Sequence, residues 1–461
     1  MLFSLQTSKS WMSLLTPLLG AQVALASIDL DLGSDDSIKK AASHIAHGMV
    51  SYYTGNNTGD VPGNLPDPYY WWEAGAMFGA LIDYWHYTGD DSYNEITLQA
   101  MVHQTGEDGY YEPNNQSRSL GNDDQAFWAI SAMSAVENKF PNPPKDEPEH
   151  QWLYLVQAVF NRQKVRWDEA TCNGGLRWQI FTLNNGYNYK NAISNGAFFH
   201  LAGRLARYTG NEEYAKWAEK AWEWMTAVKL ISPTFQVFDG TDSNDNCSSI
   251  NHIQWTYNNG ILLLGAAHMY NHTNGDAKWK ARVDGLIKGA GVFFSSQKEP
   301  KGVMIEVACE ANGNCNNDQR SFKAYMSRWM AATMIIAPYT QPILEPLIKS
   351  SAQAAALQCN GPDNACGLYW TKGADWGTSK TGVGEQMCAL EVIQSNLWKN
   401  IVAKGGPANS KTGTSKGDPD AGGGRPVKQP SAINTGDRAG AGILTTVILL
   451  GIAGGVWWMV S

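Results

Sequence analysis

Three apolar runs in this chain break off at the same distance from the same kind of signal. Gly75-Ala76-Met77-Phe78 leads to Tyr87-Thr88-Gly89-Asp90, Gly196-Ala197-Phe198-Phe199 to Tyr208-Thr209-Gly210-Asn211, and Gly260-Ile261-Leu262-Leu263 to Thr273-Asn274-Gly275-Asp276. In each case the threonine stands thirteen positions after the first glycine. Each run is apolar at helical spacing and stops at a glycine, where a helix ends. A more polar stretch follows. Over 212–228, Tyr214, Trp217, Ala218, Ala221, Trp222 and Met225 fall on one face. The unit is therefore an inner helix, apolar all round and so buried, then a tight turn and an outer amphipathic helix. Segments 123–136, 319–336 and 382–397 fill the same inner role, giving six units roughly 50 to 70 residues apart. Six such units close into an all-α (α/α)6 barrel of six inner and six outer helices, or stack as an open solenoid. The number six and the long connections rich in Asn, Gly and Trp favour the barrel, with those loops gathered at the mouth beside the inner-helix N-termini. Strand alternation is sparse; a short hairpin is expected around 176–183.

The ends carry addresses. Residues 1–26 read as a signal peptide: Lys9, an apolar stretch interrupted by Pro17, and the small-x-small site Ala24-Leu25-Ala26. Residues 442–460 are apolar and uncharged, and follow Asn434-Thr435-Gly436 and a polar spacer with Asp437 and Arg438. That is the pattern of a GPI-attachment signal, with Asn434 as the attachment residue; a tail-anchored transmembrane helix is the alternative that the length permits. The chain thus divides into signal peptide 1–26, catalytic barrel 27–401, flexible stalk 402–434 and GPI propeptide 435–461, and is expected at the outer face of the plasma membrane and in a cell wall. Seven cysteines in a secreted context predict disulfides with at least one thiol left over. Cys309 with Cys315 and Cys359 with Cys366 are spaced for short loop staples. Sequons at Asn56, Asn115, Asn246 and Asn271 predict N-glycosylation. A net charge of −8 argues against a nucleic-acid partner. No cofactor or metal is expected. The loop at 239–245, with Asp239, Asp242 and Asp245, lacks EF-hand spacing and reads as a solvated turn, a calcium site being the alternative.

The sharpest chemical feature is Gly121-Asn122-Asp123-Asp124-Gln125 at the head of an inner helix. An aspartate there can simply cap the helix. At the mouth of a barrel, however, two neighbouring carboxyl arms splay around one small volume, since successive residues differ by about 100° in direction. A retaining glycosidase needs its two carboxyls about 5–5.5 Å apart, one as nucleophile and one as acid/base. Ionisation of one raises the pKa of the other and keeps it protonated. Aromatic and amide side chains in the mouth loops suit sugar faces and hydroxyls. The candidate sugar-binding residues are Trp72, Asn122, Tyr189, Asn195, Tyr257, Asn258 and Trp376.

These motifs carry a resemblance. Asn122-Asp123-Asp124-Gln125, with Trp71-Trp72-Glu73-Ala74-Gly75 before it and Thr256-Tyr257-Asn258-Asn259-Gly260 after it, resembles glycoside hydrolase family seventy-six, endo-α-1,6-mannanases with an (α/α)6 barrel and a paired aspartate. Taken with the two terminal signals, the similarity is greatest to the family's fungal GPI-anchored branch. The resemblance implies Asp123 as nucleophile, Asp124 as general acid/base and retention of configuration. It also implies action on the mannose core of GPI anchors with transfer of the anchored protein to wall β-glucan. Plain endo-hydrolysis of α-1,6-mannan remains open beside it, as does a non-catalytic, glycan-binding wall protein whose aspartates only cap a helix. A monomer is expected.

Overall fold

A computed structural model describes residues 27–460, apart from 108, 117–118, 145–150, 297–299, 376–379 and 424–434. Signal peptide 1–26, Asn434 and Trp376 therefore lie outside the described residues.

The inner helices are α2 (Trp71–Thr88), α4 (Asn122–Asn138), α6 (Ala192–Thr209), α8 (Thr256–His272), α10 (Phe322–Ile336) and α12 (Val383–Gln394). Each packs on the next, and α12 returns to pack on α2. The ring is closed, so the solenoid alternative falls. The outer layer is α1 (Asp35–Val50), α3 (Asn94–His103), α5 (Trp152–Val165), α7 (Glu212–Ala227), α9 (Ala277–Gly289) and α11 (Gln341–Gln358). Helix α1 packs on α12, and each other outer helix packs on the inner helix that precedes it.

The repeated Thr-Gly-Asp/Asn signal explains the inner-to-outer turns. The hydroxyls of Thr88 and Thr209 donate to the carbonyls of Tyr84 and Leu205, then accept from the N–H of Asp90 and Asn211. Gly89 and Gly210 take left-handed φ of 81° and 72°, closing their helices. Asn211 and Asp276 then cap α7 and α9. One short motif thus stops one helix and starts the next.

Inner helices run from the mouth to the closed end and outer helices run back. Residues 176–183 form no hairpin: only Gln179 makes an isolated bridge, to Gly121. The sheet is instead β1 (Tyr189–Asn191), β2 (Gly240–Asp242) and β3 (Ile250–Asn251), antiparallel in that order at the mouth. Disulfides join Cys172–Cys247, Cys309–Cys315 and Cys359–Cys366, leaving Cys388 free and buried. The first of these pairs the loop before β1 with the loop after β2.

The folded body extends past the expected boundary at 401. After α13 (Trp398–Ala403), the segment 407–423 lies against the barrel wall. The N–H of Ala408 donates to Glu137, that of Ser410 to Tyr208, and Asn161 donates to the carbonyls of Pro419 and Ala421. Ser415 Oγ accepts from the N–H of Leu153 at the start of α5. Ala408 and Ala421 are buried. Further on, α14 (Thr435–Val460) contains a span, Arg438–Met459, long and apolar enough to cross a bilayer.

At the closed end, all six inner helices contribute a buried polar side chain to one network. Arg204 of α6 pairs with Glu137 of α4 at 2.6 Å, and Arg328 of α10 with Asp83 of α2 at 2.8 Å and Glu391 of α12 at 2.6 Å. His268 of α8 stands 3.8 Å from Glu137, and burial holds it neutral. Removing one partner of a buried ion pair leaves an uncompensated charge. Glu137→Gln, which strands Arg204, should therefore lower stability by about 3–5 kcal/mol, read as a lower urea midpoint with an unchanged slope.

Candidate active site

The heads of α4, α8 and α10, the β1–β2 sheet and the connection before α6 surround a cavity of about 230 Å³ at the mouth. Its lining includes Trp72, Asp123, Asp124, Phe127, Trp178, Tyr189, Asn191, Asp239, Tyr257, Asp318 and Phe322. Of the sequence-expected residues, the structure brings together Asp123, Asp124, Trp72, Tyr189 and Tyr257 here.

The two aspartates open α4. Oδ2 of Asp124 accepts the Gly121 N–H at 2.7 Å, which caps the helix and fixes the side chain. Asp123 is only 8% exposed, and its Oδ1 has no hydrogen-bond partner. A Cβ built on Gly121 would collide with Asp123 Oδ1 and stand 3.0 Å from Asp124 Oδ2. Both oxygens thus lie within 3.0 Å of one point. Their separation falls below the roughly 6.5–9.5 Å that an inverting pair needs to admit water. It also explains the glycine, since any side chain at 121 would displace a carboxyl.

Burial pushes both carboxyls up. Asp124 rises to about 6, with Asp318 adding to the effect and the Gly121 N–H opposing it. Asp123 rises well above the ordinary carboxylate range, through burial first and the charge of Asp124 second. The N–H groups at the head of α4 and the Asn191 amide favour its ionised form but do not offset this. Ionisation of either carboxyl therefore opposes ionisation of the other, as like charges in close quarters must.

Two further carboxyls complete the wall. Asp318 accepts from Trp72 Nε1 at 3.2 Å, which fixes the indole. Asp239 accepts from Tyr189 Oη at 2.5 Å, Trp255 Nε1 at 2.9 Å and Asn251 Nδ2 at 3.2 Å. Both are raised by burial. Tyr257 stacks on Phe322 with ring centroids 3.8 Å apart, and Trp72 lies 4.8 Å from Phe127.

Three expected binding residues do not reach the cavity. Asn122 donates to the Arg177 carbonyl and accepts from Arg166. Asn195 bonds the N–H and carbonyl of Leu176. Both amides face sideways between elements, where they hold residues 176 and 177, just ahead of Trp178. Asn258 is fully buried beneath the head of α8. The loop at 239–245 is no freely solvated turn, because its first residue, Asp239, faces the cavity. Asp242 and Asp245 spend their carboxylates on the N–H groups of Asn244 and Ser248. Among the described residues, no group of three or more His, Cys, Asp or Glu is arranged to hold a metal. Sequence reasoning missed Asp239, Asp318 and Phe322. The available signal was position: Asp318 immediately precedes the inner segment 319–336, much as Asp123 opens the segment 123–136.

Residues 37–410 match Glycosyl hydrolase family 76. The chain belongs to this family, and it is a glycoside hydrolase. It is 47% identical over 440 residues to mannan endo-1,6-alpha-mannosidase DCW1 of Saccharomyces cerevisiae, covering 94% of this chain and 95% of that one. It is 44% identical over 447 residues to mannan endo-1,6-alpha-mannosidase DFG5 of the same yeast, covering 95% of each. The crystal structure of Dfg5 from Chaetomium thermophilum in complex with glucosamine superposes with a TM-score of 0.80 at 47% identity, over 85% of this chain and 97% of that one. An α-1,6-mannanase of a Salegentibacter species shares the family's fold at 20% identity and a TM-score of 0.61, over 78% of this chain and 99% of that one. That structure is of an inactive variant with two adjacent aspartates replaced by asparagine, in complex with α-1,6-mannotriose.

A carboxyl whose pKa is raised by folding binds its proton more tightly in the folded state. Stability therefore falls as pH climbs from the ordinary value of 3.8 through about 6. Asp124→Asn should remove that residue's share of the slope and leave the share owed to Asp123. At pH 7 the variant should be about 3 kcal/mol more stable than the parent, and near pH 4 the difference should shrink to well under ~1 kcal/mol. Chemical denaturation at the two pH values reads the effect; a variant less stable at pH 7 would contradict the strained pair.

Proposed function

We propose that the protein is a retaining endo-acting α-1,6-mannosidase that works on mannan-type glycans at the cell surface, with Asp123 as nucleophile and Asp124 as acid/base. The observation that carries this reading is the adjacent carboxyl pair, closer than inversion allows and seated among aromatic rings in a cavity at the barrel mouth. The relatives named as mannan endo-1,6-alpha-mannosidases supply the linkage.

In the first step an ionised Asp123 oxygen bonds to the anomeric carbon as the glycosidic C–O bond breaks, and the Asp124 proton passes to the departing oxygen. Like charges in such close quarters oppose double ionisation of the pair, and positive charge developing at the anomeric carbon favours the Asp123 anion, which leaves the proton on Asp124. In the second step Asp124 removes a proton from water or from an acceptor hydroxyl, whose oxygen displaces Asp123. Trp72 and Tyr189, locked by Asp318 and Asp239, offer rigid faces for the sugar rings flanking the cut. A sugar acceptor that excludes water from the second step turns hydrolysis into transfer, here from the mannose core of GPI anchors to β-glucan.

The setting follows the same reading. The signal peptide exports the chain, and the C-terminal signal attaches it at Asn434 to a lipid at the outer face of the plasma membrane. Asn56, Asn115, Asn246 and Asn271, all exposed, accept N-glycans.

With α-1,6-mannotetraose as substrate, proton NMR should detect the α anomer of the product before mutarotation; a first-formed β anomer would refute retention. Asp124→Asn should lower kcat by about 10²–10⁴-fold. Azide should rescue a small-residue variant at Asp123 with a β-azide product and one at Asp124 with an α-azide product; the reverse pattern would exchange their roles. A β-1,3-gluco-oligosaccharide added to a mannoside donor should yield a mixed sugar, and free mannosides alone at high acceptor would refute transfer.

A further inference from the structure

A groove of about 440 Å³, larger than the mouth cavity, lies on the outer wall where α7 meets the disulfide Cys172–Cys247. Helix α7 lines it with Lys220, Glu223, Trp224 and Ala227, one face at helical spacing and about 10 Å long. The loop after α5 supplies Trp167, Cys172 and Asn173, and the loop after β2 supplies Asn246 and Cys247. None of these side chains takes part in the chemistry described above.

The floor is rigid. Trp224 Nε1 donates to the Cys172 carbonyl at 2.9 Å, and Trp167 meets the Trp224 ring edge-on at 5.8 Å. Gly175 passes so close to that indole that a Cβ there would collide with it. The rim is polar, with Lys220, Glu223 and Asn173 exposed. An aromatic floor under a polar rim suits a sugar, whose C–H face lies on indoles while its hydroxyl and amide groups reach side chains.

Asn246 decides which sugar. It lines the groove, it is exposed, and it opens the sequon Asn246-Cys247-Ser248. Among the described residues its side-chain amide has no partner, whereas that of Asn271, at another sequon, donates to the Ile336 carbonyl at 3.2 Å. A sugar joined to Asn246 is held beside the groove by its own linkage. Tethering makes docking an intramolecular step, so a shallow site suffices.

We infer that the N-acetylglucosamine joined to Asn246 folds back into this groove, with its ring on the Trp167–Trp224 floor and its acetamido group between Asn173 and Glu223. There it covers the Cys172–Cys247 bond, which ties the connection before β1 to the connection after β2. Tyr189 of β1 and Asp239, just before β2, line the mouth cavity, so the sugar braces one wall of that cavity from outside. The inference rests on the N-glycosylation proposed above for Asn246, and the test separates the two.

The full chain is expressed in a eukaryotic secretory host and trimmed with an endoglycosidase, leaving one N-acetylglucosamine with a carbon-13 acetyl methyl at each occupied sequon. Mass spectrometry of the Asn246 peptide reads occupancy; an unmodified Asn246 overturns its glycosylation and this inference with it. Given occupancy, the Asn246 methyl is the NMR signal that Ser248→Ala removes. Indole ring currents should place it upfield of the methyls at the other occupied sequons. A position among those methyls overturns the seat and leaves glycosylation standing. Dithiothreitol should open Cys172–Cys247 several-fold faster in Ser248→Ala than in the parent, read by alkylation of the two cysteines. Ser248→Thr, which keeps the sequon and the sugar, should open at the parent's rate. Equal rates in the alanine and threonine variants also overturn the inference.

Discussion

One buried polar side chain from each inner helix, five of them ionisable partners in ion pairs, meets at the closed end of the barrel, and the arrangement above depends on that meeting. Asp83, Glu137, Arg204, His268, Arg328 and Glu391 come from six helices that are otherwise apolar on nearly every side. Apolar faces can slide and rotate against one another at modest cost. Buried ion pairs cannot, because each misalignment strands a charge. The network therefore fixes the rotation of every inner helix, and with it the direction in which the opposite end of each points. Asp123, Tyr257 and Phe322 converge on one cavity about two to four turns away from the side chains that set their helices.

The mouth obeys a different economy. Four aspartates line a small volume, and two of them have given their oxygens to Trp72 and to Tyr189 with Trp255. Those carboxyls act as rigid brackets for aromatic plates. The Asp123–Asp124 pair is left under strain: Asp123 keeps an oxygen unpartnered, and each carboxyl makes ionisation of the other harder. A cationic transition state beside them relieves what the empty site must bear, which is how an acidic pocket favours a sugar with positive charge at its anomeric carbon over the neutral sugar.

How far this was legible from sequence depended on whether the cause was local. Six inner helices could be read because burial on all sides leaves continuous apolar runs. The turns could be read because Thr88-Gly89-Asp90 stops and starts helices with its own atoms. Asp123 and Asp124 stood out because two adjacent acids open a helix that is otherwise apolar. Asn122 and Asn195 were misplaced for the opposite reason: an amide takes whatever partner tertiary packing offers, and here that was the Trp178 loop. Asp239 was hidden in an acidic turn, and only the pairing of β1 with β2 brings it to the cavity. The strap formed by 407–423 was read as free because Gly, Pro and Ser carry no periodicity, yet it docks largely through backbone groups that composition does not report.

That strap bears on how the protein can be handled. Ser415 supplies the acceptor that the first turn of α5 lacks, and Ala408 and Ala421 cover side chains of α4 to α6. A recombinant fragment stopped where helical periodicity ends, near 401, would uncap α5 and bare an apolar stripe along the wall. Its failure in solution would be mistaken for an intrinsic frailty of the barrel, whereas a fragment carried through 423 keeps its own bandage.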